Sequence, residues 1–398
     1  MTAARRTMQR ADALAACTER PGEITRRYGT PALVAARDLL EGWMGEAGMT
    51  TRVDRVGNLI GTLRRPGERP GLVIGSHFDT VIDAGRYDGT LGILLGIACG
   101  EELREGDPAH DLTVVAFCDE EGVRFPTAYF ASRAFLDVGP APDPAMTDAE
   151  GATLGAGIAL AGNPAAAGGS GLPAGSAGYI EAHIEQGPVL DAAGHPLGIV
   201  TAITGGAKLA VTLTGTAGHA GTVPMRLRRD PFSAAAEIAL AVERLAAADD
   251  AAVATVGQVS VAPGAANVIP GRVTMSIDAR HPDDARKSAL VASVGEIVTA
   301  VAQRRGVEAA IEVVHDERSV VCDPGLAGQL AVAARSIGLD PPSLPSGAGH
   351  DAAVMADALP VAMLFVRCRD GISHNPAESV TEDDVAAAIA VLTAVVAG

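Results

Sequence analysis

The residues best suited to chemistry begin in the stretch GSHFDTVIDAGRYDG, residues 75–89, which carries His77, Asp79 and Asp88. Neutral imidazoles and ionised carboxylates are the ligands of divalent metal ions in mixed nitrogen and oxygen sites. Asp79 follows His77 at a spacing that lets it hydrogen-bond the second ring nitrogen and fix the tautomer of His77. Taken alone, the stretch is better explained by a capping aspartate and a surface histidine. It predicts a metal site only if further ligands occur elsewhere in the chain.

A pair of adjacent carboxylates, Glu120 and Glu121, lies in FCDEEGVRF, residues 117–125. If they were exposed to water, the two neighbouring carboxylates would repel one another and would not indicate a functional site. Beside a cation they can divide the work, because one binds the metal and the other takes a proton from the water that the metal activates. The pair is therefore a candidate for a metal ligand next to a general base.

Two further histidines complete the set of candidate ligands. In YIEAHIEQGP the alternation of apolar and polar residues places Glu181, His183 and Glu185 on one face of a strand, and His374 lies in the Gly- and Pro-bounded turn DGISHNPAES. A single histidine on a strand is more often a hydrogen-bonded structural residue than a ligand. The joint set, with each member at a strand end or a turn, favours a metal site.

The sequence on either side of these residues predicts the strands and helices that position them. The runs GLVIGS (71–76) and DLTVVAFC (111–118) are short and β-rich, as buried strands are, and residues 91–106 between them have the length and periodicity of a helix. Residues 31–49 also have helical spacing. Strand, helix and strand in this order predict a βαβ unit in a mostly parallel sheet. Ligands bind beyond the carboxyl ends of such strands, where His77 and the acids after Cys118 fall.

The pattern changes from about residue 208. It predicts the order β-α-β-β-α-β, with strands and helices at 208–215, 231–248, 252–261, 272–280, 283–305 and 308–316. This is the order of a ferredoxin-like unit. Because helices and strands resume after residue 323, we predict an α/β catalytic domain (1–207 and 319–398) with an inserted ferredoxin-like α+β domain (208–318) that serves as a lid and in dimerisation. The Gly-, Ala- and Ser-rich residues 161–178 predict a flexible surface connection, with a functional loop as the alternative.

Composition excludes several classes of partner. The formal charge of −17 argues against nucleic acid or an anionic membrane as the main partner. No apolar run reaches membrane-spanning length, and the N-terminal residues lack the apolar core of a signal peptide. Five cysteines without a CxxC pair indicate reduced thiols, so we expect a cytoplasmic protein.

Eight motifs in order resemble those of the M20 metallopeptidase-like superfamily. They are GSHFDTV, GRYDG, DEEGVRF, HIEQGP, AGHAGTVPM, NVIPG, SGAGHDA and DGISHNPAE. More narrowly, they resemble its amidohydrolase branch of N-carbamoyl-L-amino-acid, allantoate and ureidoglycolate hydrolases, from about residue 10 to the C-terminus. One departure is Ala84-Gly85, where the family often has Gly-Gly before the aromatic-Asp-Gly turn.

The resemblance implies two divalent metal ions per subunit, with manganese and zinc as first candidates and cobalt and nickel as alternatives. The implied ligands of one ion are His77, Asp88 and His183. Those of the second ion are Asp88, Glu121 and His374, so that Asp88 is shared. Glu120 matches the general base of the family. Peptidase members usually carry a carboxylate at the position of His183, so this residue favours the amidohydrolase branch.

Substrate-binding residues are implied in the same way. Gln186 resembles part of the substrate environment, and His219 resembles a histidine that reaches the other subunit's active site, which implies a homodimer. Asn267 and Arg280 match the pair that grips the substrate carboxylate, because an arginine fork meets a carboxylate with two hydrogen bonds. The alternative for Arg280 is an ordinary salt bridge. Lys208 matches a basic position of allantoate-type relatives, although a solvated lysine at a strand start explains it equally well.

These assignments predict hydrolysis of a ureido or carbamoyl C–N bond in a small anionic substrate. Allantoate, releasing ammonia and CO2, is the first candidate, and N-carbamoyl-L-amino acids are the second. Ureidoglycolate hydrolysis and an aminoacylase or peptidase activity are further alternatives. A non-catalytic binding protein is a third class of hypothesis, but degenerate relatives normally lose a ligand or the base, and here all of these positions are present.

Overall fold

The computed structural model describes residues 1–398, which form two units, 1–201 with 322–398 and 202–321. The predicted start of the inserted unit, residue 208, falls inside a strand that begins at Gly205, and the predicted end, residue 318, precedes a short strand at Val320–Val321. None of the helices combines the length and apolar composition that crossing a membrane requires.

Strands and helices are numbered here along the chain. The strands are β1 Thr50–Val53, β2 Leu59–Leu63, β3 Gly71–His77, β4 Asp111–Phe117, β5 Ser176–Ile184, β6 Leu197–Ile203, β7 Gly205–Thr214, β8 Gly218–His219, β9 Val253–Ala262, β10 Val268–Ile269, β11 Arg272–His281, β12 Glu308–Asp316, β13 Val320–Val321, β14 Ser343–Ser346 and β15 Val361–Val366. The α-helices are α1 Ala3–Ala15, α2 Pro31–Glu46, α3 Thr90–Leu103, α4 Phe130–Leu136, α5 Leu154–Ala161, α6 Val189–Ala193, α7 Pro231–Ala246, α8 Asp284–Arg305, α9 Pro324–Ser336, α10 Asp351–Met355 and α11 Glu382–Ala397. Met225–Leu227 and Arg369–Gly371 are short 3-10 helices.

The first unit is built on a mixed nine-stranded sheet in the order β1-β2-β4-β3-β5-β15-β6-β13, in which β14 also pairs with β6. Its four central strands, β4-β3-β5-β15, are parallel, whereas β1, β2 and β6 are antiparallel to their neighbours. The predicted mostly parallel sheet is therefore wrong at the edges. The connection between β1 and β2 spans only residues 54–58, which is too short for the crossover that a parallel pair needs.

Helix α3 packs against the centre of this sheet and is buried along nearly its whole length. Its glycines recur every fourth residue at Gly92, Gly96 and Gly100, so they lie on one face. A Cβ on Gly92 would lie 2.1 Å from the Ala182 carbonyl oxygen of β5, and one on Gly96 would lie 3.1 Å from Ile74 of β3. The missing side chains therefore let α3 approach the sheet closely, which brings its N-terminus to the ends of β3 and β5.

The inserted unit contains a four-stranded antiparallel sheet in the order β12-β7-β11-β9. Alternate residues of β7, namely Leu209, Val211 and Leu213, join residues of β11, α7 and α8 in one buried core. The predicted strand 308–316 coincides with β12. The two-residue strands β8 and β10 pair with each other in a separate ribbon.

Residues 162–175, between α5 and β5, contain neither helix nor strand. Arg55 donates to the carbonyl of Ala166, and the N–H of Gly171 donates to the carbonyl of Phe135. The connection is thus hydrogen-bonded to the rest of the first unit at several points along its length.

Candidate metal centre

The predicted ligands of the first unit lie at the carboxyl ends of its parallel strands. His77 is the last residue of β3 and pairs with Phe117, the last residue of β4, so Glu120 and Glu121 follow beside it. His183 lies near the end of β5, opposite Phe365 of β15. His374 follows β15 and the 3-10 helix after it. The sheet therefore directs four chain segments to one place, and the resulting set of His77, Asp88, Glu120, Glu121, His183 and His374 is called the Asp88 cluster below.

The carboxylate of Asp88 lies at the centre of this cluster. Its Oδ1 is 3.2 Å from His183 Nε2 and 3.9 Å from His77 Nε2, and its Oδ2 is 3.0 Å from His374 Nε2. Three sets of ligand atoms converge within 4.8 Å of one another, namely His77 with Asp88 and His183, His77 with Glu120 and Glu121, and Asp88 with Glu121 and His374. Asp88 belongs to two of the three sets. Its Oδ1 faces His77 and His183, and its Oδ2 faces His374.

The two buried histidines are oriented by backbone carbonyls. His77 Nδ1 lies 3.2 Å from the Asp79 carbonyl oxygen, and His183 Nδ1 lies 2.9 Å from the Ile184 carbonyl oxygen. A carbonyl only accepts, so each Nδ1 carries a hydrogen and each Nε2 faces Asp88. A neutral Nε2 and a carboxylate are both acceptors, so a proton or a metal ion must lie between them.

The pKa shifts describe the protonated alternative. Burial lowers the pKa of His183, but the hydrogen bond to Asp88 and the charge of Asp88 outweigh burial, so the pKa is raised. Burial also opposes the charged form of Asp88, yet its bonds to His183 and His374 hold its pKa well below the usual range. The cluster therefore attracts positive charge between its imidazoles and Asp88, which a divalent cation would supply.

The carboxylate pair is held by Asp79. The N–H of Glu120 donates to Asp79 Oδ1 at 3.0 Å, and the N–H of Glu121 donates to Oδ2 at 3.2 Å. Asp79 Oδ1 also lies 3.4 Å from His77 Nδ1. The predicted contact between Asp79 and His77 is thus present, but the two backbone N–H groups occupy the Asp79 carboxylate as well. Asp79 positions the two glutamates together with the histidine.

Glu120 and Glu121 differ in what they face. Glu121 Oε1 lies 3.6 Å from His374 Nε2, and Glu121 is in a set with Asp88, whereas Glu120 is in neither set that contains Asp88. Burial raises the pKa of Glu120 well above its ordinary value, a shift that His77 opposes and Glu121 reinforces. Burial raises the pKa of Glu121 to about 7. Without a cation, this pair holds more negative charge than its surroundings stabilise.

Gln186 lies inside the centre and has a left-handed backbone, with φ 57°. Its Nε2 donates to Asp88 Oδ1 at 3.2 Å and to Ser373 Oγ at 3.2 Å, while its Oε1 is buried without a hydrogen-bond partner. His374 also has a left-handed φ of 54°. Such conformations are costly and occur where the surroundings hold a functional side chain in place. The orphaned oxygen of Gln186 can accept a bond from a substrate.

The other acids predicted on β5 have structural partners. Glu181 accepts from Ser76 Oγ at 3.0 Å and from the N–H of Ala352 at 2.8 Å, and Glu185 accepts from the N–H of Val189 and of Leu190 at the start of α6. Only His183 of that strand face therefore joins the Asp88 cluster.

Two residues of the centre were not identified from the sequence. His350 packs edge-on against His183, with ring centroids 4.6 Å apart, and Glu378 accepts hydrogen bonds from the N–H groups of Tyr87 and Asp88. Both lie inside the motifs SGAGHDA and DGISHNPAE. Their polar type within those motifs is the one signal that could have marked them.

In the inserted unit, Arg280 and Lys208 lie near Asp278. Arg280 Nε donates to Asp278 Oδ1 at 2.7 Å, and Lys208 on β7 is the cross-strand partner of Asp278 on β11. The salt bridge anticipated as the alternative for Arg280 is thus present, with a neighbour on its own strand. Lys208 is exposed, and nothing in the geometry of β7 distinguishes its two interpretations.

His219 and Asn267 lie in the β8–β10 ribbon. His219 pairs with Val268, and the N–H of Ala220 donates to the carbonyl of Asn267 at 2.9 Å. This ribbon follows the ends of β7 and β9 that pair with Arg272, whereas Arg280 lies eight residues further along β11, roughly 27 Å away at about 3.4 Å per residue. Asn267 therefore precedes the start of β11, whereas Arg280 lies near the far end of that strand.

The donor set of the Asp88 cluster fits a divalent metal ion. It offers imidazole nitrogens and carboxylate oxygens, the ligands of zinc, manganese, cobalt and nickel, and its acceptors face one another as a cation requires. A glutamate placed beside such ligands and outside both sets that contain Asp88 is the arrangement of metal-assisted hydrolysis. The fold and the site together define a metal-dependent hydrolase.

Comparison with known proteins agrees with this class. Residues 73–398 match the family described as Peptidase family M20/M25/M40. The chain is 40% identical to an allantoate deiminase of Arabidopsis thaliana over 92% of this chain and 76% of the relative. It is 39% identical to an N-carbamoyl-L-amino-acid amidohydrolase of Pseudomonas sp. (strain NS671) over 92% of this chain and 93% of the relative.

A solved structure has the same fold over nearly the whole chain. It is an amidase of the hydantoinase/carbamoylase family from Burkholderia multivorans, with a TM-score of 0.92 and 34% identity, covering 99% of this chain and 97% of that one. The chain therefore belongs to the peptidase family M20/M25/M40, whose enzymes are metal-dependent, and its named relatives are amidohydrolases.

Proposed function

We propose that the chain hydrolyses a ureido or carbamoyl C–N bond, with allantoate as the first candidate substrate. The observation that carries the proposal is the Asp88 carboxylate, which offers one oxygen to His183 and the other to His374. Glu120 lies beside this arrangement and outside both sets that contain Asp88. A water-activating centre with a separate base is what hydrolysis of an unreactive C–N bond requires.

The proposed centre holds two divalent metal ions per subunit. His77, Asp88 and His183 would hold one ion, and Asp88, Glu121 and His374 the other, with manganese or zinc as first candidates and cobalt or nickel as alternatives. Ions bound there would lower the pKa of water at the site and polarise a carbonyl oxygen.

Glu120 is the proposed general base. It accepts the proton of the attacking water and returns it to the departing nitrogen. In the metal-free chain, burial and the negative charge of Glu121 raise the pKa of Glu120. Asp79 holds the backbone of Glu120 and so fixes where the base stands.

The inserted unit is proposed to be a ferredoxin-like lid and dimerisation domain. The strand order β12-β7-β11-β9 with α7 and α8 supports this assignment. Because Asn267 and Arg280 lie far apart on one chain, we propose that His219 and Asn267 of a second copy complete the site with Arg280. His219 would then polarise the scissile carbonyl, and Arg280 and Asn267 would bind the substrate carboxylate.

Two substrates are supported by the relatives. The Arabidopsis relative is named for allantoate and the Pseudomonas relative for N-carbamoyl-L-amino acids, at nearly equal identity. Lys208 matches a basic position of allantoate-type relatives, and a cation there would suit a small polar anion without an apolar side chain. N-carbamoyl-L-amino acids are the second candidate, followed by ureidoglycolate and by N-acyl amino acids or peptides. The cytoplasmic location stays a prediction.

A substrate panel tests the assignment. Metal-free protein reconstituted with Mn²⁺ is given allantoate, N-carbamoyl-L-amino acids, ureidoglycolate, N-acetyl amino acids and dipeptides, and ammonia and amino-acid products are both measured. We expect the largest kcat/KM for allantoate with release of ammonia. Turnover of peptides alone would overturn the ureido assignment.

The role of Glu120 is tested by Glu120→Gln, which keeps the shape of the side chain and removes the base. We expect kcat to fall by about 10²–10⁴-fold, the usual contribution of a general base, while the metal content stays that of the wild type. Glu105→Gln, at a carboxylate exposed on the far end of α3, is the matched control and should change neither. Near wild-type turnover by Glu120→Gln with full metal content would show that another group takes the proton.

A further inference from the structure

A buried carboxylate beside the Asp88 cluster, Glu378, is in none of the three sets of converging ligand atoms. It is only 3% exposed. A buried carboxylate without a cationic partner must be satisfied by hydrogen bonds, and those it makes here are to the segment that carries Asp88.

Glu378 joins two turns that are far apart in sequence. Its Oε1 accepts from the N–H of Tyr87 at 2.7 Å and from the N–H of Asp88 at 3.1 Å. Ser373 Oγ lies 3.4 Å from Glu378 Oε2 and 3.1 Å from Asp88 Oδ2, so its hydroxyl lies between the two carboxylates and donates its one proton to Asp88, the nearer of them. The backbone of Asp88 and its side chain are thus both fixed by the turn that contains His374.

The turn that carries Glu378 is itself closed. The N–H of Glu378 donates to the carbonyl of Asn375 at 3.0 Å, and the N–H of Ala377 donates to the side chain of Asn375 at 2.9 Å. His374 precedes this turn directly. Glu378 therefore lies in one short hydrogen-bonded unit with His374.

The Asp88 turn is shaped to receive this side chain. A Cβ added to Gly85 would lie 2.2 Å from Glu378 Cδ and 2.3 Å from its Oε1. Any side chain at residue 85 would therefore displace the Glu378 carboxylate from its position. The Glu378 carboxylate thus packs against the backbone of Gly85 in the space that a side chain at residue 85 would fill.

We propose that Glu378 is a positioning residue that fixes Asp88 relative to His374, so that metal binding by this pair depends on Glu378 and on the absence of a side chain at Gly85. The inference rests on the proposed ion site. It assigns Glu378 no contact with substrate. Residues that hold metal ligands in place contribute about 10–100-fold to metal affinity.

The test is calorimetric titration of Mn²⁺ into metal-free full-length protein, which needs no substrate. We expect Glu378→Ala to weaken binding by about 10–100-fold. Glu378→Gln should stay within about threefold of the wild type, because its amide oxygen can accept the same two N–H bonds. If Glu378→Gln weakens binding as much as Glu378→Ala does, the charge and not the hydrogen bonding of Glu378 matters, and the proposed role is wrong.

Gly85→Ala tests the same contact from the other side. We expect it to weaken Mn²⁺ binding as much as Glu378→Ala does. The double variant should bind Mn²⁺ at least as tightly as the single variant with the lower affinity, because both changes remove the same contact. Fully additive losses would overturn the proposal. Should Glu378→Ala fail to fold, Gly85→Ala with Glu378→Gln still decides the question.

Two controls separate the possible failures. Asp384→Asn changes another buried carboxylate, which pairs with Arg367 away from the cluster, and should lower the midpoint of thermal unfolding without changing Mn²⁺ affinity. Asp88→Asn should abolish binding if the ion site is right. Wild-type affinity in Glu378→Ala and Gly85→Ala alongside loss in Asp88→Asn would overturn only the role of Glu378, whereas wild-type affinity in Asp88→Asn would overturn the ion site itself.

Discussion

Asp88 is the residue on which the proposed chemistry depends most. Its two oxygens face different histidines, and Gln186 and Ser373 donate to the same carboxylate. Its bonds hold its pKa low, so it stays ionised throughout the neutral range. A residue shared in this way cannot be replaced without affecting both sides of the centre.

Metal content tests that sharing. We expect about two Mn²⁺ ions per wild-type chain, about one for His374→Ala, and almost none for Asp88→Asn, since Asp88 is in both sets of ligand atoms. Elemental analysis after dialysis measures the ratio. His315→Ala, at an exposed histidine of β12, is the control and should bind as the wild type does. Retention of both ions by Asp88→Asn would contradict a shared ligand.

Among single residues, the chemical type of the side chain and its position near a strand end were sufficient to point to His77, His183, Glu120 and Glu121. Glu378 could not be found in the same way. Its partners are backbone N–H groups about 290 residues away, and backbone N–H groups leave no mark in an amino-acid sequence. A carboxylate that positions a ligand through the main chain is visible only once the chain is folded.

At the scale of elements, the loop from Asp88 into α3 is the most constrained. Gly89 has a φ of 64° at the N-cap of α3, and its N–H donates to His183 Nε2 at 3.2 Å. A Cβ on Gly89 would lie 2.5 Å from the ring of His77. The start of α3 is therefore packed directly against two of the proposed ligands.

Two glycine substitutions should act in opposite directions. Gly89→Ala should destabilise the protein by about 1–2 kcal/mol from the positive φ alone and should also weaken Mn²⁺ binding, because the added methyl group displaces His77. Gly295→Ala, in an open position within α8, should raise the free energy of unfolding by up to about 1 kcal/mol. Chemical denaturation and Mn²⁺ titration measure both. A stable Gly89→Ala protein with wild-type metal affinity would contradict the close packing.

Elements with a strong local pattern were predictable, and their arrangement in the sheet was only partly so. The β3-α3-β4 unit follows from its lengths, and β11 from its alternation. The antiparallel edges β1, β2 and β6 do not, because pairing partners are chosen by tertiary packing and not by the residues of one strand. The predicted parallel character therefore holds only where helices connect the strands.

At the scale of the whole molecule, the stability of the protein should depend on pH, because protons and the proposed metal ions would compete for the Asp88 cluster. The pKa values of Glu121 and Glu378 are raised to about 7, mainly by burial, and those of His77, His183 and His374 are also raised. A folded state that binds protons more tightly than the unfolded chain loses stability as pH rises through its folded pKa. Asp88 acts in the opposite sense only below its ordinary pKa, and His350, whose pKa burial lowers, acts in the opposite sense near neutral pH but is outnumbered by the groups whose pKa is raised.

The metal-free protein should therefore be less stable at pH 7.5 than at pH 5.5. A tenfold change in proton affinity corresponds to about 1.4 kcal/mol per group, so the fall is measurable by thermal or chemical denaturation with a chelator present. Added Mn²⁺ should stabilise the protein more at pH 7.5, because the ligands must lose their protons to bind metal. Equal stability of the metal-free protein at both pH values would show that the centre is not protonated in this way.

The proposed dimer can be tested with two inactive chains. His219→Ala and Glu120→Ala are expected to be inactive alone, but a co-expressed equal mixture should recover about a quarter of wild-type activity, because half of the dimers are mixed and each has one intact site. Purified wild-type protein of equal total concentration is the reference. No recovery in mixed dimers that are shown to form would mean that His219 acts within its own chain or not at all.

The place of β15 in the sheet has a consequence for how the protein is made. This strand, near the carboxyl end of the sequence, lies between β5 and β6, which are synthesised more than 150 residues earlier. During translation β5 and β6 lack the strand that lies between them, so each has an unpaired edge. A shortened chain that stops before residue 361 would keep those edges exposed to other chains. Loading of the proposed metal site would then be a late step, since His374 emerges from the ribosome only after β15.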